Sequence, residues 1–95
     1  MSEIAIRKED GPTGGRWVAV VDGHEAEMTY SKAGATRIII DHTEVPRALA
    51  GLGVGVALVK NAVEEARAAG IKIIPLCPFT KAQIEKHPEW QDVLA

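Results

Sequence analysis

Three glycines at alternate positions, Gly51, Gly53 and Gly55, are the residues whose type and spacing most directly suggest chemistry. They stand at the start of an apolar segment with helical spacing. A helix that begins here has unpaired backbone N–H groups and the positive end of its dipole at this point. Because glycine has no Cβ, those amides stay open to a ligand. The pattern predicts a turn that binds a phosphate group.

Spacing excludes two common phosphate-binding loops. A P-loop requires Gly-Lys followed by Ser or Thr, whereas Gly55 is followed by Val56 and Ala57. A dinucleotide fingerprint requires a third glycine three positions after the second, and an acidic residue at the end of the next strand. Position 56 is Val, and the next predicted strand ends in Ile74-Pro75. The structural alternative is a left-handed turn before a core helix, although a single glycine would be enough for that.

Three side chains could take part in proton transfer or nucleophilic attack: Cys77, His42 and Glu44. A thiol has a reference pKa of about 8.5, so Cys77 could donate a proton or attack a carbonyl, although a buried and inert cysteine is the equal alternative. His42 and Glu44 share one face of a predicted strand if that strand is regular. Either could accept a proton from an amine, for which histidine is the better suited at neutral pH. Exposure to solvent alone would also explain a polar residue at positions 42 and 44. His87 is interpreted as a residue at the end of a helix.

The spacing of the apolar residues, which predicts the elements that position these side chains, changes part-way along the chain. Alternating apolar residues predict an antiparallel meander of four strands, at residues 4–8, 17–21, 25–30 and 36–43, with Asp22-Gly23 as a hairpin turn. Apolar residues then recur every three or four positions over residues 53–69, which predicts an amphipathic helix closed by Gly70. A buried strand at residues 71–75 should pair parallel to an earlier strand.

The C-terminal part is predicted to contain a second helix and a docked tail. Thr80 and Gln83 fit a capping box, with Phe79 and Ile84 as its hydrophobic staple, so the helix is expected to begin at Lys81. It should end near His87, because the following proline disfavours helical geometry there. The tail, residues 89–95, is expected to dock through Trp90 and Leu94.

Composition limits the class of protein. The chain has 95 residues, 46% of them hydrophobic and 25% charged, which predicts one domain at residues 1–95. A net charge of −2 offers no general field for nucleic acid or an anionic membrane. One cysteine cannot form an intramolecular disulfide, and the start of the chain has no signal-peptide pattern. We expect a cytoplasmic protein without a metal, either a monomer or a small homo-oligomer.

The glycine segment, Ala50-Gly51-Leu52-Gly53-Val54-Gly55, resembles motif A of the GNAT superfamily of acyl-CoA-dependent N-acetyltransferases, Gln/Arg-x-x-Gly-x-Gly/Ala. The segments His42-Thr43-Glu44-Val45-Pro46, Pro75-Leu76-Cys77-Pro78-Phe79 and His87-Pro88 are similar to a small single-domain subgroup of predicted N-acetyltransferases. The resemblance covers about residues 3–94. It implies an α+β fold with a mixed sheet: a four-strand antiparallel meander followed by a helix, a parallel strand and a second helix.

The resemblance also implies an acetyl-CoA-dependent N-acetyltransferase whose acceptor is an unknown amine, either a small molecule or a protein lysine. Cys77 would protonate the leaving thiolate or act as a covalent nucleophile, with His42 and Glu44 as candidate bases. The backbone at Val45 would pair with the pantetheine arm and polarise the thioester carbonyl. The implied residues around coenzyme A (CoA) are Val45, Pro46, Arg47, Gly51, Leu52, Gly53, Val54 and Gly55.

The sequence departs from the superfamily at three points. Ala50 replaces the Gln or Arg of motif A, so Arg47 would have to substitute for it near the pyrophosphate. The helices that larger members insert between the first two strands have no room here, which leaves the acceptor side open. The tyrosine that many members place after the fifth strand is absent, since Phe79 lies there and Tyr30 lies on the third strand. The alternatives are therefore a non-catalytic CoA-binding module and a protein-interaction domain.

Overall fold

A computed structural model describes residues 4–95. Four antiparallel strands come first, β1 (Ala5–Asp10), β2 (Gly14–Val21), β3 (His24–Lys32) and β4 (Arg37–Glu44). A short 3-10 turn, Arg47–Leu49, leads into α1 (Val54–Ala69), which is followed by β5 (Lys72–Pro75), α2 (Pro78–Lys86) and a 3-10 segment, Pro88–Val93. The sheet order is β1-β2-β3-β4-β5, and β5 is parallel to β4. The predicted α+β arrangement is confirmed, including the parallel fifth strand.

The helices pack on one face of the sheet. Side chains alternate between the two faces of a strand, and Ala26, Met28 and Tyr30 of β3 are buried on the helix face, as their spacing predicts. The apolar stripe of α1 meets them, and its buried residues recur every three or four positions. The core side chains that are almost fully buried include Trp17, Met28, Ile40, Leu49, Leu58, Ile73 and Ile84.

The opposite face of the sheet, which we call the open face, is charged. Arg7 and Arg16 form ion pairs with Glu9, Glu25 and Glu27 at 2.6 to 3.5 Å. These side chains are well exposed, so the pairs add little stability. They keep the uncovered face of the sheet hydrated and polar.

The second helix begins earlier than the sequence predicts. Its N-cap is Cys77, and Pro78 takes the first helical position, where the absence of an N–H costs nothing. The predicted capping box is therefore wrong, because Thr80 lies inside the helix and is 0% exposed. The predicted staple is also wrong, since Phe79 turns toward α1 while Ile84 enters the core. The predicted end near His87 is confirmed, as α2 ends at Lys86.

The tail docks as predicted, with one change in the residues that hold it. The indole of Trp90 is buried and stacks on the imidazole of His87, with ring centroids 3.9 Å apart. Val93 is more deeply buried than Leu94, which forms a β-bridge with Ile73. The tail therefore adds a fragment of parallel strand beyond β5.

Candidate functional site

The connection from β4 to α1 exposes its backbone. The loop is anchored by Leu49, which is 1% exposed and donates its N–H to the carbonyl of Pro46. Gly51 and Gly53 adopt positive φ angles of 79° and 76°. No heavy atom lies within 4 Å of a Cβ built on either residue. A side chain at these positions would be strained and would project into open space, so glycine leaves the main chain accessible here.

The N-terminus of α1 is free of side-chain caps. Its N-cap is Gly53, no side chain bonds to the first amides, and no acidic residue lies in the first turn. The amide of Ala57 donates to the carbonyl of Gly53 at 3.0 Å. The amides of Val54, Gly55 and Val56 precede that bond and lie at the positive end of the helix dipole. The geometry suits a diphosphate, because these donors and the two open glycines lie side by side.

Gly55 serves a different purpose from the other two glycines. A Cβ on Gly55 would lie 2.8 Å from Cζ of Phe79 and 3.6 Å from a methyl carbon of Val45. The residue is buried, and the absence of a side chain lets the Phe79 ring lie on the first turn of α1. The three residues line a shallow cleft of about 250 Å³ together with the glycine loop. Its other lining residues are Leu49, Ala50, Gly51, Gly53, Val54 and Val56.

Cys77 lies where β5 separates from β4. The amides of Leu76 and Cys77 both donate to the carbonyl of Ile40, at 3.2 and 3.0 Å, and the strand pairing ends there. The Cys77 sulfur lies 3.4 Å from the hydroxyl oxygen of Thr43, which is 3.5 Å from that of Thr80. Sequence reasoning missed both threonines. The available signal was alternation along β4, which places Thr43 on the face opposite His42 and Glu44.

The environment of Cys77 favours its thiolate. Burial alone raises the pKa of the Cys77 thiol, but the hydrogen bond with Thr43 and the nearby amides of Thr80 and Phe79 more than offset this. The net effect is a pKa below the ordinary value of a thiol. The two amides lie in the first turn of α2 and do not form a regular capping bond with the sulfur. Their contribution is that of a helix N-terminus near an anion.

Alkylation of Cys77 should therefore follow an unusual pH profile. Iodoacetamide reacts with thiolates, so the rate should rise with pH and reach half its maximum at a lower pH than for the same cysteine in the unfolded chain. Thr43→Val should move the midpoint upward, because it removes a donor to the thiolate. The chain has one cysteine, so mass spectrometry measures labelling without ambiguity. Midpoints that coincide in folded and unfolded protein would contradict this description of the thiol.

His42 and Glu44 share a face, as expected, but that face is the open one. Their closest atoms, Nε2 and Oε1, are 3.8 Å apart, and the side chains are 62% and 71% exposed. A bulge between Thr29 and Tyr30 leaves one extra residue in β4, and His42 then pairs with Thr29. Because Thr43 pairs with Met28, it faces the helices instead. The strand therefore separates His42 and Glu44 from Cys77, and the structure does not bring the three predicted catalytic residues into contact.

Tyr30 does not lie beside Cys77. Its hydroxyl donates to Asp10 of β1, at the edge of the sheet opposite β5. Burial, together with that hydrogen bond, raises the pKa of Tyr30 well above its usual range. Phe79, which is 38% exposed, occupies the region after β5. Cys77 lies at the end of the β4–β5 pairing, with the hydroxyls of Thr43 and Thr80 beside it.

A comparison with models of protein families shows which family the chain belongs to. The model of the family described as GCN5-related N-acetyl-transferase matches residues 16–93. The chain belongs to this family. As a GNAT protein, it is a predicted N-acetyltransferase, and acetyl transfer is the general chemistry of its class.

A solved structure agrees with this assignment. The GNAT chain is similar to a candidate GCN5-like N-acetyltransferase from Staphylococcus aureus whose solution structure was determined by NMR. The two sequences are 37% identical, the match covers 94% of this chain and 87% of that chain, and the TM-score is 0.72. A comparison with curated proteins found no match.

Two further properties of the GNAT chain concern residues 4–95 alone. No group of three or more His, Cys, Asp or Glu side chains in that range is arranged to hold a metal ion. Within the same range, each helix is too short or too polar to cross a bilayer.

Proposed function

We propose that this protein transfers an acetyl group from acetyl-CoA to an amine. The observation that supports it most is the uncapped N-terminus of α1, with Gly51 and Gly53 open beside it. The diphosphate of CoA would accept hydrogen bonds from the amides between Gly51 and Val56. Arg47 is exposed at the start of the preceding turn, where it would supply the charge that Ala50 does not.

The acetyl end of the substrate would lie at the end of the β4–β5 pairing, near Cys77. The N–H of Val45 is proposed to polarise the thioester carbonyl, since Pro46 has no N–H to offer. In one route the Cys77 thiolate attacks that carbonyl, a sulfur–carbon bond forms to the acetyl group, and the CoA thiolate leaves. The amine then attacks acetyl-Cys77 and releases the Cys77 thiolate. In the other route the amine attacks acetyl-CoA directly, and the Cys77 thiol gives its proton to the departing CoA thiolate.

The acceptor would approach from the open face. The helices that larger members of the superfamily insert between the first two strands have no room here, and both helices of residues 4–95 pack on the other face. His42 and Glu44 are exposed there, on the side of β4 away from Cys77, so in the direct route either would take the proton that the amine loses. In the covalent route the released Cys77 thiolate would take that proton. A small amine and a protein lysine would both have access there.

A thermal-shift measurement tests the proposal. Ligand that binds the folded state alone, at about 100 times its Kd, adds about 2.7 kcal/mol of stability. For a chain of this size that corresponds to a rise in Tm on the order of 10 °C. Acetyl-CoA and CoA should both produce the rise, whereas pantetheine, which lacks the diphosphate, should not at the same concentration. Absence of a shift with both CoA compounds would contradict the proposed function.

A non-catalytic CoA-binding module is the second candidate. It is favoured by Phe79, which stands where many members of the superfamily have a tyrosine, and by Ala50 in motif A. This candidate predicts the same rise in Tm with CoA. It differs in predicting no release of CoA from acetyl-CoA with any amine, and no acetylation of Cys77.

A further inference from the structure

The open face of the sheet has two unlike halves. The ion pairs of Arg7 and Arg16 with glutamates lie on β1, β2 and β3 and do not extend to β4 or β5. Val18 lies between Arg7 and Glu27 in the register of these strands and is 0% exposed, so the charged side chains cover it. On β4 and β5 the apolar side chains of the open face have no such cover.

Three aliphatic residues of the second half form what we call the apolar strip: Ile39, Ile74 and Leu76. Ile39 of β4 and Ile74 of β5 are paired across the two strands and are half-buried. Their neighbours Ile38 and Ile73 are paired in the same way and lie in the core, so Ile39 and Ile74 point to the open face. Leu76 follows β5 and is 65% exposed.

The apolar strip ends where the acetyl group of the proposed substrate would lie. The amides of Leu76 and Cys77 both donate to the carbonyl of Ile40, one residue after Ile39. The Cys77 side chain is buried on the helix side, so the exposed side chain of Leu76 before it is directed away from the helices. An acceptor that approaches this point across the open face therefore passes over the strip.

Charged residues of β4 give the strip a direction. Arg37 lies at one end, two residues before Ile39 and on the same face. Asp41, which accepts the Ser31 hydroxyl at 2.7 Å, and Glu44 lie at the other end, where the β4–β5 pairing has ended. In the part of the chain that the structure describes, neither carboxylate is paired with a lysine or an arginine. An ammonium group is therefore attracted to the end near Cys77 and repelled from the end at Arg37.

The size of the strip suits a small ligand. Neighbouring strands lie about 4.8 Å apart, and alternate residues along a strand lie about 7 Å apart. The paired isoleucines and Leu76 thus offer contact to one ring or one short alkyl chain. A larger apolar body would extend over the hydrated ion pairs of the other half and lose contact with the strip.

We propose that the acceptor is a small primary amine with an aliphatic or aromatic body. The body lies on the apolar strip, and the amine points toward Asp41 and Glu44. The inference rests on the proposed acetyl transfer, because the strip lies on the path of the acceptor only if the acetyl group is held near Cys77. It narrows the acceptor to small amines whose bodies are apolar.

Methyl NMR and steady-state kinetics with two matched amines test the inference. Hexylamine and aminopentanol have chains of the same length and one primary amine each, and differ in a terminal methyl or hydroxyl group. Without coenzyme, hexylamine should produce saturable shifts of the methyl signals of Ile39, Ile74 and Leu76. With acetyl-CoA, its kcat/KM should exceed that of aminopentanol by about fivefold or more, through a lower KM. Nα-acetyllysine amide, which carries its amine on a polar backbone, should be no better than aminopentanol.

Three variants sharpen the test. Leu76→Gln should remove most of the preference for hexylamine, because a polar side chain replaces part of the strip. Val20→Gln is the matched control, since Val20 is an exposed apolar residue of β2 in the charged half of the open face, and it should leave the preference unchanged. Asp41→Asn should weaken the binding of hexylamine by about threefold at low salt and by less at high salt.

The two measurements separate this inference from the proposed function. Saturable shifts at the strip without acetylation of any amine would support the amine site and contradict acetyl transfer. Equal kcat/KM for hexylamine and aminopentanol, or a preference for Nα-acetyllysine amide, would overturn the inference and leave acetyl transfer intact. The absence of methyl shifts at the strip, or a Leu76→Gln variant that keeps the full preference, would also overturn it.

Discussion

Replacing Cys77 by serine should lower the rate of acetyl transfer by about a hundredfold or more. A serine hydroxyl is much less acidic than a thiol and is a poor nucleophile without a partner base, so it would fail in both proposed routes. The change in volume is small, and the nearby hydroxyl of Thr43 can bond to serine as well as to sulfur. Affinity for CoA should stay within about twofold, because the diphosphate contacts lie on the glycine loop.

Mass spectrometry of the intact protein after mixing with acetyl-CoA distinguishes the two routes. The gain of one acetyl group in wild type and its absence from Cys77→Ser would indicate the covalent route. No adduct, with a hundredfold slower release of CoA by the variant, would indicate that Cys77 acts as the acid. Full activity of Cys77→Ser would contradict both routes.

Gly53→Asp should weaken CoA binding by more than tenfold. The carboxylate would stand at the N-terminus of α1, where it would occupy the free amides and repel the diphosphate. Gly53→Asn is nearly isosteric and uncharged, and both residues tolerate a left-handed backbone. The asparagine variant should therefore show a smaller loss, and the difference between the two should shrink as salt is added.

Gly70→Asp supplies the control for backbone strain. Gly70 caps the other end of α1 with φ of 71°, against 76° for Gly53. A side chain at either position costs about 1 kcal/mol or more of folding stability. Only the change at Gly53 should alter affinity for CoA in calorimetry. Equal losses from Gly53→Asp and Gly70→Asp would show that stability, not the phosphate contact, is responsible.

The main elements of the fold follow from local patterns in the sequence. Alternation over β3 and the helical spacing over α1 each reflect one buried face, so both could be predicted without tertiary contacts. The start of α2 could not be predicted in this way, because Pro78 is typical of a first helical position whereas Thr80 is typical of an N-cap. Tertiary packing decides between them: Thr80 is buried with its hydroxyl near that of Thr43, and the Phe79 ring covers Gly55.

The candidate site was predictable only in part for the same reason. The glycine turn is contiguous in sequence, so its residues could be identified directly. The cluster of Thr43, Cys77 and Thr80 comes from three elements, and the register of β4 decides which face each side chain occupies. The cluster of Lys8, Trp17, Tyr30 and Glu65 depends still more on register, because these side chains meet only after four elements are assembled.

Titration of the isotope-labelled protein with CoA, followed by amide NMR, tests the central claim most directly. We predict saturable shifts that are largest for the amides from Gly51 to Val56, with smaller shifts at Cys77 and none at Arg37 or the Trp17 indole. Shifts centred away from the glycine loop, or no shifts at all, would contradict the claim that the N-terminus of α1 binds the diphosphate of the coenzyme.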